Sequence, residues 1–414
     1  MNRRDFTQMV AVGAGSLPFL GNEPQPEDEP RQADSCDVAA PEPDVEKTQF
    51  AKPVNIADLE QAARATLSKA TFDYISTGSA DGLTLQTNIS ALQQIRILPP
   101  LLKGVAKPDL STTVLGQRIS MPIMLAPVAA QRMYHQEGAL AAARAAKAAG
   151  TVFGVSSSAG NSVEEIERAA DGPKWFQVYL PKDRKIGKQL VQRVETAGYK
   201  AIILTVDLGE WKDTDRRNGF ALPREMLLKH LLDVGFSVSD KMTDRQLTAF
   251  NAQAWDQSMT WDVFEWLRSI TKLPLLIKGV LRKEDAKRAV SLGLDGVIVS
   301  NHGGRRLDGM PASIEMLPDI VAAVGDDLEV FMDGGIRRGT DVLKALSLGA
   351  KAVLIGRPYA WALAADGERG VRHALDLLRD ELTNAMIATG CAKPGDANQS
   401  LLMDWKRPCP NENT

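Results

Sequence analysis

An eightfold alternation of apolar and helical segments constrains the fold of this chain more than any other feature. From residue 121 onward, a short apolar run ends in a polar residue or a glycine, and a segment with helical spacing follows. The eight apolar runs are 122–126, 152–155, 175–180, 201–206, 273–280, 296–300, 329–332 and 352–355. Strands that alternate with helices form a parallel sheet. Eight units predict an α/β fold of the (β/α)₈ TIM-barrel type. An open flavodoxin-like sheet is the weaker alternative, because eight units close more naturally than they stay open.

One spacing in this repeat is much longer than the others. The fourth and fifth runs begin at residues 201 and 273, 72 residues apart, whereas the other runs begin 23–33 residues apart. The long spacing predicts an insertion after the fourth strand, lying over the barrel mouth as a lid. A surface excursion without a function fits the same spacing. Ahead of the barrel, the sequence predicts two helices, around 56–75 and 84–91, and then a short extended cap.

Composition narrows the class of protein. The chain has 414 residues, a formal net charge of -3 and 44% hydrophobic residues, which suits one large α/β domain or two smaller ones. A charge so near zero argues against nucleic acid as a partner. Cysteines and histidines are few and lie at unrelated spacings, so we expect neither a disulfide framework nor a metal site. They are Cys36, Cys391, Cys409, His135, His230, His302 and His373.

The amino terminus resembles a bacterial Tat export signal. Arg3 and Arg4 precede an uncharged run at 9–20, which is too short for a comfortable membrane span. A disordered basic terminus is the alternative. We predict a signal at 1–21, a disordered linker rich in Pro, Glu and Asp at 22–50, the barrel domain at 51–404 and a tail at 405–414. The protein is then periplasmic or membrane-anchored, and cytoplasmic if the leader does not function. The cleavage site stays open.

The sixth apolar run ends in the segment SNHGGRRLDG at 300–309. His302 offers a base, and Arg305 can hold a carboxylate through two parallel hydrogen bonds. Gly303 and Gly304 allow close backbone approach to a bound molecule. This combination suits the removal of a proton or a hydride equivalent from a substrate that carries a carboxylate. A histidine on an ordinary glycine-rich turn is the alternative for the HGG triplet alone.

The whole segment resembles the active-site signature of the FMN-dependent α-hydroxy acid oxidases and dehydrogenases, the glycolate oxidase and lactate oxidase family. The resemblance extends from about Val54 to about Asp404. It implies an FMN cofactor, oxidation of a small L-2-hydroxy acid to the 2-oxo acid, and a homo-tetramer. Dioxygen, a quinone or a cytochrome would accept the electrons. Some relatives carry an amino-terminal haem domain with two axial histidines, but the first histidine here is His135, so such a domain does not fit.

Glycine-rich turns end the seventh and eighth runs, at 333–339 and 356–358. Exposed backbone N–H groups and a following helix start favour anions, and phosphate sites are common there in this fold. Ordinary tight turns are the alternative. The resemblance implies that Asp333 contacts the ribityl chain of FMN and that five residues bind its phosphate. Those five are Gly334, Gly335, Arg337, Gly356 and Arg357.

The other strand ends are assigned to the flavin ring by the same resemblance. It implies that the ring lies beside the backbone of 127–129 and near the pyrimidine-side Lys278, whose charge would stabilise reduced flavin. A snorkelling surface lysine is the alternative for Lys278. The cofactor contacts implied around the ring are Pro127, Val128, Ala129, Ser156, Gln177, Thr205, Lys278 and Ser300.

The resemblance also implies roles toward the substrate. Tyr74 and Arg305 would bind the substrate carboxylate, and Tyr179 the substrate hydroxyl, although each tyrosine could equally be a structural aromatic. His302 would take a proton, with Asp207 orienting its ring and stabilising its charged form. A carbanion route and a hydride route need the same residues and stay open.

Three positions depart from the family pattern. Lys212 occupies the place of a second arginine in the loop after the fourth strand. It would bind the substrate carboxylate more weakly than an arginine, unless Arg216 takes over. Ser158 replaces a pocket-lining aromatic, which predicts a roomier or more polar pocket and a substrate larger than glycolate. Val128 replaces a threonine near the flavin.

Two other functions remain in view: a non-catalytic, exported flavin-binding protein and a type 2 isopentenyl diphosphate isomerase, although the latter lacks the His302–Arg305 pair.

Overall fold

The computed structural model describes residues 52–209 and 213–403. The predicted leader at 1–21, the linker at 22–50, the tail at 405–414 and Lys212 lie outside the described residues, as do Cys36 and Cys409. What the sequence predicts for these residues therefore stays a prediction. The side chain of Arg216 is also outside the description, so its suggested substitution for Lys212 is untested.

The amino-terminal segment forms three helices where two were predicted. They are α1 (Ile56–Thr66), α2 (Lys69–Ser76) and α3 (Leu83–Gln94). The single helix predicted for 56–75 is wrong, because Leu67 is extended and Ser68 caps a new helix by accepting from the Thr71 amide. The predicted extended cap is an antiparallel hairpin of β1 (Thr112–Val114) and β2 (Gln117–Ile119).

Within the described residues, eight parallel strands close into one barrel in the order β10-β3-β4-β5-β6-β7-β8-β9. The predicted (β/α)₈ barrel is therefore confirmed, and the open sheet is excluded. The strands are β3 (Ile123–Leu125), β4 (Phe153–Ser156), β5 (Lys174–Val178), β6 (Ala201–Thr205), β7 (Leu275–Val280), β8 (Gly296–Val299), β9 (Glu329–Asp333) and β10 (Ala352–Ile355).

Each barrel strand is buried on both faces. On β3, Ile123 and Leu125 pack outward against the helices, while Met124 belongs to a separate apolar cluster inside the barrel. Residues of β1 and β2 join that inner cluster, and Leu115 between them donates its amide to Glu329 at the start of β9. The hairpin therefore plugs the end of the barrel where the strands begin. The opposite end, where the strands finish, is left for the site.

Helices cover the outside of the barrel. They are α4 (Ala139–Ala149), α5 (Val163–Ala169), α6 (Arg184–Thr196), α10 (Asp262–Ile270), α11 (Lys283–Ser291), α12 (Ser313–Val324), α13 (Gly339–Ser347) and α14 (Arg357–Thr389). The last of these is interrupted at Asp366 and Gly367, whose backbone angles are not helical. Among the described helices, none combines the length and apolar character needed to span a bilayer.

The predicted insertion after the fourth barrel strand contains α7 (Asp213–Asn218), α8 (Arg224–Val234) and α9 (Asp244–Ala254). Aromatic contacts hold its two longer helices together. Phe236 lies edge-on to Phe250 and to Trp255, with ring centroids 5.5 and 5.6 Å apart, and His230 stacks on Trp255. Several of its side chains line the cavity at the barrel mouth, so the insertion lies where a lid was expected.

Candidate active site

All eight barrel strands contribute a residue to one end of the barrel, where a cavity of about 410 Å³ opens. The contributing residues at or just after the strand ends are Ala126, Ser156, Gln177, Thr205, Lys278, Ser300, Asp333 and Gly356. A cavity of this size is in the range of small-molecule and cofactor sites. The predicted site residues that the structure describes line this cavity, except for Asp207 and Ser300, which contact lining residues from behind.

His302 lies at this mouth with an unusual backbone. Its φ of 58° is in the left-handed region, which residues with a side chain rarely adopt. Both oxygens of the Asp207 carboxylate lie 3.0 Å from His302 Nδ1. An ionised carboxylate is an acceptor only, so Nδ1 carries the proton and donates it. The nitrogen left for chemistry is therefore Nε2, as the predicted pairing of these residues requires.

The charge state of the pair follows from burial and neighbours. Burial lowers the pKa of His302 to about 4, and the positive charges of Lys278 and Arg306 act in the same direction, against the opposing effect of Asp207. Burial alone would raise the pKa of Asp207, but His302, Lys278 and Arg306 bring it below its usual value. At neutral pH the pair is a neutral imidazole beside a carboxylate, which is the state of a general base.

Lys278 anchors a second polar group under the cavity. Its Nζ lies 3.1 Å from Asp333 Oδ2 and donates to Ser300 Oγ at 2.8 Å, and Ser300 donates on to Asp333 Oδ1 at 2.6 Å. Burial would lower the pKa of Lys278, but Asp333 and Asp207 raise it above its usual value. A buried, charged lysine is therefore held at the position predicted for the pyrimidine side of a flavin.

Arg305 and Tyr74 meet at one wall of the cavity. The guanidinium of Arg305 lies 4.8 Å from the centre of the Tyr74 ring and donates to the Tyr74 backbone carbonyl. Tyr74 also stacks on Phe220, with centroids 4.0 Å apart and planes within 8°. This layered arrangement joins α2, the loop after β8 and the insertion, and it presents a cation and a phenol together.

Tyr179 lies on the loop after β5, where it is paired with an arginine that sequence reasoning left without a role. Arg306 Nη2 donates to Tyr179 Oη at 2.6 Å, and Arg306 Nη1 donates to the Gly209 carbonyl at 3.1 Å. Burial raises the pKa of Tyr179, while the charge of Arg306 opposes that rise. Tyr179 is therefore a neutral phenol at the cavity wall.

The predicted phosphate site gathers two partly buried arginines near the amino end of α14. In the part of the chain that the structure describes, the guanidinium groups of Arg337 and Arg357 donate hydrogen bonds only to backbone carbonyls. Burial lowers the pKa of Arg337 to about 10, and that of Arg357 well below its usual value. Two guanidiniums and a helix amino terminus at one end of a cavity favour a bound anion.

Gly334 and Gly335 have φ values of 99° and 83°, and both line the cavity. A Cβ on Gly335 would lie 2.1 Å from the Asn88 carbonyl oxygen, so α3 packs directly on this turn. Gly356 is different, because nothing lies within 3.8 Å of a Cβ built there. The glycine at 335 is thus required by packing as well as by any phosphate contact.

The predicted flavin-ring residues supply unmatched polar atoms. Ser156 Oγ donates to Gln177 Oε1 at 3.1 Å, which leaves the amide of Gln177 as a donor. Gln177 Nε2 and Thr205 Oγ1 are buried without a hydrogen-bond partner, and both residues line the cavity. Buried polar atoms are rarely left unpaired in native proteins. These two atoms fit a planar cofactor rich in carbonyl and ring-nitrogen acceptors, and the backbone of 127–129 lines the same cavity.

Several wall residues were missed by sequence reasoning. The insertion contributes Leu222, Met226, His230, Asn251, Trp255 and Met259. Their helical spacing resembles that of an ordinary surface helix, and only the prediction of a lid pointed to this segment. Arg306 had a clearer signal, because it directly follows Arg305 in the motif. Within residues 52–209 and 213–403, no group of three His, Cys, Asp or Glu side chains is placed to hold a metal ion.

The geometry fits a flavin-binding barrel oxidoreductase, and comparisons with known proteins identify the family. The family model described as FMN-dependent dehydrogenase matches residues 63–404. The chain belongs to this family, and its cofactor is FMN.

Similar proteins cover most of the chain. Glycolate oxidase 3 of Arabidopsis thaliana is 48% identical over 86% of this chain and 97% of its own length. L-lactate oxidase of Nostoc is 44% identical over 86% of this chain and 99% of its own. A crystal structure of mandelate oxidase superposes with a TM-score of 0.77 at 42% identity, covering 85% of this chain and 98% of that one.

Proposed function

We propose that this protein oxidises an L-2-hydroxy acid to the corresponding 2-oxo acid, with His302 as the base. The observation that carries this proposal is the His302–Asp207 contact at 3.0 Å, in the same cavity as the Arg305 guanidinium. The relatives named glycolate oxidase, 2-hydroxyacid oxidase and L-lactate oxidase support the substrate class.

Oxidation of a 2-hydroxy acid replaces one C–H and one O–H bond with a C=O bond, and releases two electrons and two protons. FMN, when bound, would take up the two electrons together with the second proton, and a bound dioxygen or an electron carrier would receive the electrons in turn. His302 Nε2 takes one proton, and Asp207 stabilises the imidazolium that results. In a carbanion route that proton comes from carbon. In a hydride route it comes from the hydroxyl, and the hydrogen on carbon leaves together with the electron pair.

The remaining roles fall to the cavity wall. Arg305 binds the substrate carboxylate through its two parallel donors, and Tyr74, stacked on it, adds a phenol. Tyr179 contacts the oxygen on the substrate C2. Lys278 and Asp333 face the cofactor, while Arg337 and Arg357 supply the positive charge for its phosphate. Asp207 contacts no ligand and acts through His302.

The substrate is larger than glycolate. Ser158 lines the cavity at the position where, by the resemblance, glycolate oxidases carry an aromatic. Apolar side chains from the insertion, including Met226 and Trp255, line the same cavity. A substrate side chain of several carbons can bury apolar surface against these residues, with a gain of about 25 cal/mol per Å². A substrate panel in which glycolate gave the highest kcat/KM would contradict this.

Anaerobic mixing tests the proposed function. The FMN-loaded protein is mixed with L-lactate, longer L-2-hydroxy acids, L-mandelate and glycolate, and flavin absorbance is followed. We expect bleaching with at least one acid and a loss of about 100- to 10,000-fold in rate for His302→Ala. His373→Ala is the matched control, because His373 contacts the Pro53 carbonyl and neither residue lines the cavity. Equal rates for His302→Ala and the parent would refute the assignment of the base.

The electron acceptor is the second open choice. Because the named relatives are oxidases, we propose that dioxygen can serve. Export by a Tat leader would make a quinone or a cytochrome equally suitable. Turnover measured in parallel with dioxygen and with dye acceptors separates these, since a dehydrogenase turns over with the dye and consumes little oxygen.

Location and assembly are further proposals. The twin arginine at 3–4 supports export by the Tat route, and the family resemblance supports a homo-tetramer. Fractionation of cells that express the full chain, compared with a variant carrying lysine at both positions, tests the first. Light scattering on the purified protein tests the second. Retention of both chains in the cytoplasm would refute export.

A further inference from the structure

Arg306 lies in the cavity wall, and the proposed reaction assigns it no role. Its guanidinium donates to Tyr179 Oη at 2.6 Å and to the Gly209 carbonyl at 3.1 Å, and its carbon Cζ lies 5.5 Å from the Tyr179 ring centre. Arg306 Nε lies 3.5 Å from His302 Nδ1, too far to compete with the two 3.0 Å contacts to Asp207. Arg306 thus links the loops after β5, β6 and β8.

The direction of the Arg306–Tyr179 hydrogen bond has a chemical consequence. A guanidinium has only donors, so the Tyr179 oxygen must accept in this bond. The phenol proton then has to point elsewhere. Tyr179 lines the cavity, and within the described residues its hydroxyl donates to no protein acceptor. The remaining direction is toward a ligand in the cavity, so Tyr179 is set up as a donor. An acceptor on the substrate would complete its hydrogen bonds.

Three charged groups and one neutral dipole surround His302. Asp207 follows β6, Lys278 belongs to β7, and Arg306 lies on the same loop as His302. Tyr179, after β5, adds a neutral dipole. Lys278 and Arg306 both disfavour a charged imidazole, and Asp207 favours it. Arg306 is therefore close enough to act on both the tyrosine and the histidine.

We propose that Arg306 is a positioning residue that fixes the Tyr179 hydroxyl as a hydrogen-bond donor to the oxygen on C2 of the substrate. This proposal rests on the proposed oxidation of a 2-hydroxy acid. Arg306 itself need not touch the substrate. Its bond to the Gly209 carbonyl connects the same hydroxyl to the start of the insertion, so substrate alignment and the seating of that loop share one side chain.

A double-mutant comparison tests the proposal. Arg306→Met removes the charge and the donors but keeps the length of the side chain, and Arg306→Lys restores a charged donor. In the protein that keeps Tyr179, we expect Arg306→Met to slow anaerobic flavin reduction by about 10- to 100-fold, because a charge-assisted hydrogen bond is lost. Arg306→Lys should recover part of that loss. In the Tyr179→Phe background, the same Met substitution should cost less than about threefold.

A second readout does not depend on turnover. In protein free of cofactor and labelled with ¹⁵N-histidine, the His302 resonance reports its protonation. Loss of the Arg306 charge should move the His302 titration to higher pH, and Arg306→Lys should leave it near that of the parent. Arg369→Met serves as the control, because Arg369 pairs with the exposed Asp366 on α14. That variant should change neither readout.

The outcomes separate two failures. If no 2-hydroxy acid bleaches the parent protein, the proposed function fails, and the role of Arg306 fails with it. If the parent is bleached but the Arg306→Met loss is undiminished in the Tyr179→Phe background, only the role of Arg306 is overturned. An unchanged rate for Arg306→Met likewise overturns it. If Arg306→Met does not fold, Arg306→Gln replaces it in the same comparison.

Discussion

Lys278 and Asp333 form a buried ion pair at the base of the cavity, with Nζ 3.1 Å from Oδ2. The Ser300 hydroxyl completes the group, because it accepts from Lys278 and donates to Asp333. Both charged side chains are at least nine-tenths buried. The pair therefore joins β7 to β9 beneath the predicted flavin ring, and neither partner is independent of the other.

Lys278→Met should destabilise the fold as well as impair the cofactor site. Removing one partner of a buried pair leaves an uncompensated charge and typically costs about 3–5 kcal/mol. Urea unfolding of the FMN-free protein measures the free energy of unfolding. The double variant Lys278→Met/Asp333→Asn should lose less than the single one. If the double variant is the less stable of the two, the ion pair does not dominate this site.

The acidic limb of the kcat/KM profile should lie well below pH 6. A base must be unprotonated to act, and the pKa of His302 is lowered to about 4, chiefly by burial. Activity is then retained as pH falls from 7 to about 5, and is lost as pH falls through about 4. Reduction rates measured anaerobically between pH 4 and 8 give the profile. A midpoint near 6.5 would show that His302 behaves as an exposed imidazole.

His230 should make the stability of the protein depend on pH. It is buried in the insertion, and burial lowers its pKa to about 4 from the 6.5 of an exposed histidine. The unfolded chain therefore binds the proton first, and the free energy of unfolding falls as pH drops from about 6.5 to about 4. His302 titrates in the same window, so the comparison is with His230→Phe, which can keep the stacking on Trp255. Its urea midpoint should change less between pH 7 and 5 than that of the parent.

Gly335→Ala should weaken both the fold and the phosphate end of the site. The residue has φ of 83°, and a Cβ would lie 2.1 Å from the Asn88 carbonyl oxygen, so α3 must move. Overpacking of this kind costs about 1–3 kcal/mol, and the left-handed backbone adds about 1 kcal/mol. Gly198→Ala is the matched control, since Gly198 has the same φ of 83° but nothing lies within 4 Å of its Cβ position. Thermal unfolding and FMN titration compare the two, and equal effects would mean that the contact with α3 is not what requires glycine.

The sequence was sufficient for the barrel because its signals are local. Each strand is a short apolar run with a defined end, and the observed strand β10 (Ala352–Ile355) matches the predicted run in full. The break between α1 and α2 was missed because Leu67 fits a helical pattern, and only the cap at Ser68 marks the stop. Local periodicity therefore identified the elements but not every boundary.

A site residue can be predicted from the sequence when its side chain has one evident chemical role. His302 and Asp207 were paired from a family resemblance, and their contact in the structure fits that pairing. Arg357 shows the limit, because it was assigned only to phosphate. Its guanidinium also donates to the carbonyls of Ile75, Thr77 and Gly303, residues distant in sequence. Such contacts depend on the assembled fold, so they cannot be predicted from residue spacing along the chain.

At His302, the left-handed backbone lowers the stability of the fold, whereas the side chain is needed for catalysis. A residue with a side chain adopts that conformation at a cost of about 1–2 kcal/mol, which glycine would avoid. Selection for heat resistance alone would therefore favour replacement of His302 by glycine, because stability would rise. Selection for turnover of substrate retains the histidine. Heat-tolerant variants gathered without an activity screen should accordingly be enriched in inactive proteins altered at this turn.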